Sequence, residues 1–62
     1  MVNLAKLRKE NDLTQKELAE KNNISKSSIA MYESGKRVPS LKKAKLLADF
    51  FDVSIDYICY GQ

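Results

Sequence analysis

The chain contains no histidine, so it lacks the commonest general base and the commonest metal ligand. Its one cysteine, Cys59, excludes an internal disulfide and a zinc–thiolate cluster. A solitary thiol fits a reducing compartment. Apolar runs are short. None approaches the roughly 18 residues that a membrane span needs, and none has the form of a signal-peptide core. Length excludes more: 62 residues are expected to form a single domain, residues 1–62, that buries about 60% of its unfolded surface. A cleft with a lid and a substrate pocket is hard to house in so little chain. No nucleophile–base pair stands out, and no cofactor or small-molecule ligand is implied. Composition points to a non-catalytic cytoplasmic module without a membrane partner.

Charge is modest in sum and uneven in place. The net charge is +3, and all eleven Lys and Arg precede residue 49. Between Lys36 and Lys45 there are five cations and no acid. The end of the chain carries Asp49, Asp52 and Asp56 without a cation. A basic stripe joined to an apolar, mildly acidic end suggests two surfaces, one of them suited to a polyanion. Solvated lysines on helix faces would give the same count, and for Lys16, Lys42 and Lys43 that is the preferred reading.

Apolar spacing predicts five short helices and no strand. Val2, Leu4 and Leu7 give the first, which ends near Glu10–Asp12, a run of poor helix formers. Thr14 followed three residues later by Glu17 is a capping box for the second, with Leu18 and Ala19 facing inward. Asn22 and Asn23 stop it, because asparagine tolerates the left-handed conformation of a helix stop. Ser25 caps the third helix, with Ile24 and Ile29 placed as a hydrophobic staple. This helix runs to Ser34 and ends at Gly35. Pro39 breaks the following loop. Ser40 caps a fourth helix, whose stripe is Leu41, Ala44, Leu47, Ala48 and Phe51. After a break at Asp52 and Val53, Ser54 opens a fifth helix that ends before Gly61. Val53 and Ile55 are expected to close the core, and Cys59 to sit in it as a small hydrophobe.

The third helix is unusual at its leading end, where Ser25, Lys26, Ser27 and Ser28 offer hydroxyls and one ammonium group. Taken alone, this is an ordinary capped start. In its wider setting it resembles something more specific. Leu13, Thr14, Gln15, Leu18, Ala19, Ser25, Ile29, Glu33, Gly35 and Pro39 are similar in identity and spacing to the helix-turn-helix of the Xre family, which includes Cro and the lambda-type phage repressors. The resemblance extends from the first helix to "VSIDYI". It departs at Asn23, where the family usually has glycine, and at Asn22, where it tends to be apolar. What it implies is an all-α, lambda-repressor-like domain with the helix-turn-helix at about residues 14–34.

Physical reasoning agrees with that resemblance. A three-residue connection forces the second and third helices into a steep crossing, and a residue as small as Ala19 permits their close approach. An end stripped to short polar side chains can enter a major groove about 12 Å wide. The family pattern implies that Lys26, Ser27 and Met31 face bases, with Ala30 beside them. Lys26 can donate to guanine, and Met31 can pack on a thymine methyl. Phosphates would be held by Gln15, by Ser25 and Ser28 at the helix N-terminus, and by Lys36 and Arg37 in the following loop. The resemblance also implies a structural ion pair between Arg8 and Glu33. At the C-terminal end it implies a two-fold dimer contact, expected at Tyr57, Ile58 and Tyr60. The resulting expectation is a transcriptional repressor that binds double-stranded DNA as a homodimer on a palindromic operator. The rival is a protein-interaction module of antitoxin or anti-repressor type built on the same fold.

Overall fold

Four hydroxyl side chains open four of the five helices. The computed structural model describes residues 1–62 and contains α1 (Leu4–Glu10), α2 (Gln15–Asn22), α3 (Lys26–Ser34), α4 (Leu41–Phe50) and α5 (Ile55–Tyr60), with no strand. Thr14, Ser25, Ser40 and Ser54 accept the backbone N–H of Glu17, Ser28, Lys43 and Tyr57 at 3.0–3.2 Å. Each bond satisfies a donor that the first turn would leave unpaired. In α2 the box is reciprocal, because the Thr14 N–H donates to Glu17 Oε1 at 2.9 Å. This backbone bond first, and the Thr14 hydroxyl second, hold the Glu17 carboxyl below its ordinary pKa. The box therefore helps fully above the ordinary glutamate range. Its help is lost as pH falls through the lowered folded-state value.

The helices stop by a repeated device. Asp12, Asn23 and Asp52 adopt left-handed conformations, with φ of 55°, 53° and 56°. In each case the next residue donates its N–H across the helix end: Leu13 to Arg8 O, Ile24 to Ala19 O and Val53 to Ala48 O, at 2.9–3.1 Å. This is the Schellman closure. The following residue is then the next N-cap. The triplets Asp12-Leu13-Thr14, Asn23-Ile24-Ser25 and Asp52-Val53-Ser54 are one three-residue turn used three times: a left-handed stop, an apolar plug and a hydroxyl cap. The third helix ends in the same closure at Gly35, with φ 78° and Lys36 N–H to Met31 O at 3.0 Å. There a longer loop follows in place of the triplet.

Leu4, Leu18, Ile29, Leu47 and Ile58 are fully buried at the centre, joined by Leu7, Ala19, Ile24, Tyr32 and Ala48. The partly buried Leu13, Phe51, Val53, Ile55, Tyr57 and Cys59 pack around them. α2 packs chiefly on α3, and α4 on α5. The chain ends are tied together. Val2 and Asn3 donate backbone N–H groups to Cys59 O and Ile58 O at 3.2 and 3.1 Å. The Asn3 amide donates to Tyr57 O at 2.9 Å. Residues 2 and 3 thus satisfy the Ile58 and Cys59 carbonyls at the end of α5, and Asn3 adds a second donor to Tyr57 O, which also accepts from Gly61 N–H.

Three expectations from the sequence are corrected. Val2 is outside the first helix and 68% exposed, since it belongs to the strap that meets α5. Leu41 is 74% exposed: it is the first residue of α4, and the buried stripe begins a turn later at Ala44. Ile58 is a core residue with no exposed surface. It lies on the inward face of α5, so it cannot form a dimer contact in the folded chain. Asn22 takes a position where an apolar side chain was expected. It is buried, and its amide is satisfied by Leu18 O at 3.1 Å.

Ile58→Ala is expected to cost about 2–5 kcal/mol, which lowers the melting temperature by roughly 10 °C or more in a domain this small. Ile58→Asp should give an unfolded chain rather than a folded monomer. Thermal melts followed by circular dichroism check both. A cooperative Ile58→Asp melt near that of the native protein would return this residue to the surface.

Candidate nucleic-acid interface

The Ser25 cap gives the leading end of α3 its shape. Ser25 Oγ accepts from the Ser28 N–H at 3.1 Å and donates to Ser28 Oγ at 2.9 Å. Lys26 and Ser27, in the first turn of α3, are exposed, while Ile29 and Tyr32 of the same helix are buried. The helix is therefore anchored by one face and open along the other. Ala30 and Ser28 are half-buried, and Met31 is 41% exposed. The residues expected to read bases thus lie on the outward side of α3. Lys16, Glu20, Asn23, Ser25 and Lys26 line an open groove of about 520 Å³ where α2 meets α3. Lys16, read from sequence as a solvated lysine, shares this groove with Lys26.

The loop after α3 is held against that helix. Both Lys36 N–H and Arg37 N–H reach Met31 O, at 3.0 and 3.3 Å, and both side chains are exposed. Neither makes an ion pair, so both charges are open to solvent. Lys42 and Lys45 are exposed and Lys43 half-buried. Lys45 meets Asp49 at 3.2 Å, an exposed pair worth little.

Behind the open face sits a polar clamp. Arg8 Nε donates to Glu33 Oε2 at 2.6 Å, and Arg8 Nη2 to Glu33 Oε1 at 3.3 Å. Arg8 Nη1 donates to Leu13 O at 2.8 Å, in the turn before α2. The two side chains are 12% and 10% exposed. Sequence reasoning anticipated this ion pair. It missed the third member: Gln15 Nε2, at the start of α2, donates to Glu33 Oε1 at 3.0 Å. Glu33 thereby joins α1 and α2 to the last turn of α3, while Arg8 also reaches the turn between α1 and α2. Gln15 is half-buried, and part of its amide is engaged by Glu33.

The residues expected at a dimer contact separate. Ile58 is internal, Tyr57 is half-buried, and Tyr60 is 68% exposed. Tyr60 borders an apolar groove of about 260 Å³ with Met1, Val38, Pro39, Leu41, Ile55 and Cys59. Val38 and Leu41 went unnoticed as surface residues because the sequence marks them only as loop and stripe.

Five helices, a three-residue α2–α3 turn and a polar leading end on α3 define a helix-turn-helix domain. The helix-turn-helix family matches residues 4–58, and the chain belongs to it. The Xre-type resemblance read in the sequence is borne out. Among curated proteins, the chain is 49% identical over 55 residues to the uncharacterized HTH-type transcriptional regulator YobD of Bacillus subtilis, covering 89% of this chain and 49% of YobD. It is 39% identical over 59 residues to the HTH-type transcriptional activator BcrR of Enterococcus faecalis, covering 95% and 29%. It is 38% identical over 56 residues to the cryptic phage CTXphi transcriptional repressor RstR of Vibrio cholerae, covering 90% and 50%. The chain spans about half the length of these relatives or less. No solved structure gives a significant match. No helix is long and apolar enough to cross a membrane.

The clamp predicts a measurable asymmetry. Glu33→Ala strands the Arg8 charge in a mostly buried place, and such losses run about 3–5 kcal/mol. Replacing both partners with apolar residues of similar size should cost much less. Thermal melts of the two variants decide. A Glu33→Ala melting temperature within a degree or two of native would show that the pair carries no stability.

Proposed function

We propose that this domain binds double-stranded DNA sequence-specifically through the major groove and acts as a transcriptional regulator, without catalysis. The observation that carries the reading is the leading end of α3, where Lys26 and Ser27 stand free while Ile29 and Tyr32 anchor the helix behind them. Lys26, Ser27 and Met31 touch base edges, with Ala30 leaving room beside them. Gln15, Ser25, Ser28, Lys36 and Arg37 hold phosphates, with the exposed cations supplying salt-dependent affinity. Repression by occupying a promoter is the favoured outcome. RstR, a repressor, supports it, whereas BcrR is an activator.

The two classes of contact fail differently. Lys26→Ala should cost about 1–3 kcal/mol on the preferred site and little on scrambled DNA. Lys36→Ala should weaken every sequence alike and lower the salt slope by about one ion. Site selection from random duplexes, followed by salt titrations of each variant, tests this. Equal weakening of both duplexes by Lys26→Ala makes Lys26 a phosphate anchor. No effect from either variant turns the reading toward the protein-interaction module.

Two copies are proposed to meet through the Tyr60 side of the domain, setting their α3 helices about 34 Å apart on a palindromic operator. Of the contact expected at Tyr57, Ile58 and Tyr60, Tyr60 is kept, and Val38 and Leu41 beside it take the place of the buried Ile58. Exposed apolar side chains gathered at one groove support this. Leu41→Asp or Tyr60→Asp should leave the melting curve nearly unchanged while reducing operator affinity and cooperativity. Sedimentation and half-site titrations check it, and a native chain that stays monomeric at high concentration and on DNA rules the dimer out.

A further inference from the structure

We propose that Glu33 acts beyond stability, as a positioning residue that orients the Gln15 amide toward a DNA phosphate. The inference rests on the DNA-binding reading above and deepens it. An ionised carboxylate can only accept hydrogen bonds. The part of the Gln15 amide that faces Glu33 must therefore be its nitrogen, which lies 3.0 Å from Oε1. That contact fixes which way round the amide sits. One Nε2 hydrogen is taken by Glu33, and the other remains to donate. A phosphate oxygen is also an acceptor, so the remaining hydrogen is the one it meets.

The same nitrogen then stands between two anions, which repel one another. Arg8 makes the arrangement tolerable. Its Nε and Nη2 lie 2.6 and 3.3 Å from the two carboxylate oxygens and compensate the Glu33 charge. Its Nη1 lies 2.8 Å from Leu13 O, two residues before Gln15. The carboxylate is held from α1, and the amide is held from α3. The ordering of the Gln15 side chain is thus met in the free protein, before DNA binds. Arg8 and Glu33, far apart in sequence and mostly buried, set the aim of a donor at the surface.

The test is a thermodynamic cycle on a short random-sequence duplex at fixed low salt. Gln15→Ala is made in the native chain and in an Arg8→Met, Glu33→Leu background. In the native chain it should weaken binding roughly three- to tenfold, the net size of one ordinary hydrogen bond. In the apolar background it should change binding less than about twofold, because nothing there orients the amide. The salt slope should stay the same, since Gln15 carries no charge. Equal losses in both backgrounds overturn the proposal. So does no loss in the native chain while Lys36→Ala still weakens binding. A native protein that binds neither this duplex nor any selected site overturns the DNA-binding reading itself.

If the paired variant does not fold, the native chain decides by nuclear magnetic resonance. The two Nε2 protons of Gln15 should resonate well apart, the Glu33-bonded one downfield, and the other should move when duplex is added. Two unshifted protons that ignore the duplex overturn the proposal.

Discussion

The three-residue turn from a left-handed residue to a hydroxyl cap is the constraint from which the rest of this domain follows. Left-handed backbone costs most residues about 1–2 kcal/mol, and Asn and Asp less, because their side chains can bond locally. Asp12, Asn23 and Asp52 occupy those positions. Each turn stops one helix, drives Leu13, Ile24 or Val53 toward the core, and opens the next helix with Thr14, Ser25 or Ser54. The three turns share the left-handed stop and the extended hydroxyl cap, so α2, α3 and α5 each start from the same local geometry. The α3–α4 connection alone departs from the rule, and it carries Lys36 and Arg37.

The same economy governs the face of α3. The hydroxyl that ends the turn at Ser25 also accepts from Ser28 and donates to it. A polar helix end is needed by the backbone, whose first donors lack partners. A ligand that carries negative charge and acceptor edges uses the same polarity. On the proposed DNA-binding reading, folding and recognition would draw on one set of atoms, which is why residues 25 to 28 look unremarkable as a cap and specific only in their setting. Further back, Glu33 lets α3 be gripped from α1 and α2 without adding bulk to its outward side.

What was legible in the sequence was local. The four caps, the left-handed Asn23 and the Gly35 stop depend on neighbours three or four residues apart. The stops at Asp12 and Asp52 were equally local. Their signal, Asp or Asn followed by an apolar residue and then Thr or Ser, emerges only when the three turns are compared. Facing was harder. Ile58 and Tyr60 lie two positions apart on α5 and point to different surroundings; α5 packs on α4 and is tied to the N-terminal strap. Leu41 fits the periodicity of α4, yet nothing covers its first turn. The Gln15–Glu33 bond spans 18 residues and the Asn3–Tyr57 bond 54. No periodicity encodes either. The Arg8–Glu33 pair, at 25 residues, was reached only through family resemblance.

The strap of Val2 and Asn3 across the end of α5 has a consequence for synthesis. On the ribosome α1 is made first, yet Asn3 finds its partners, Ile58 O and Tyr57 O, only after nearly all of this segment has emerged. Ile58, which completes the centre of the core, arrives equally late. Until then the helix-turn-helix has its caps and turns but an open core, and helices this short do not persist unsupported. The core of the nascent domain therefore stays incomplete until residue 58 is free. A segment that stops short of Ile58 lacks the residue that fills the centre of its core.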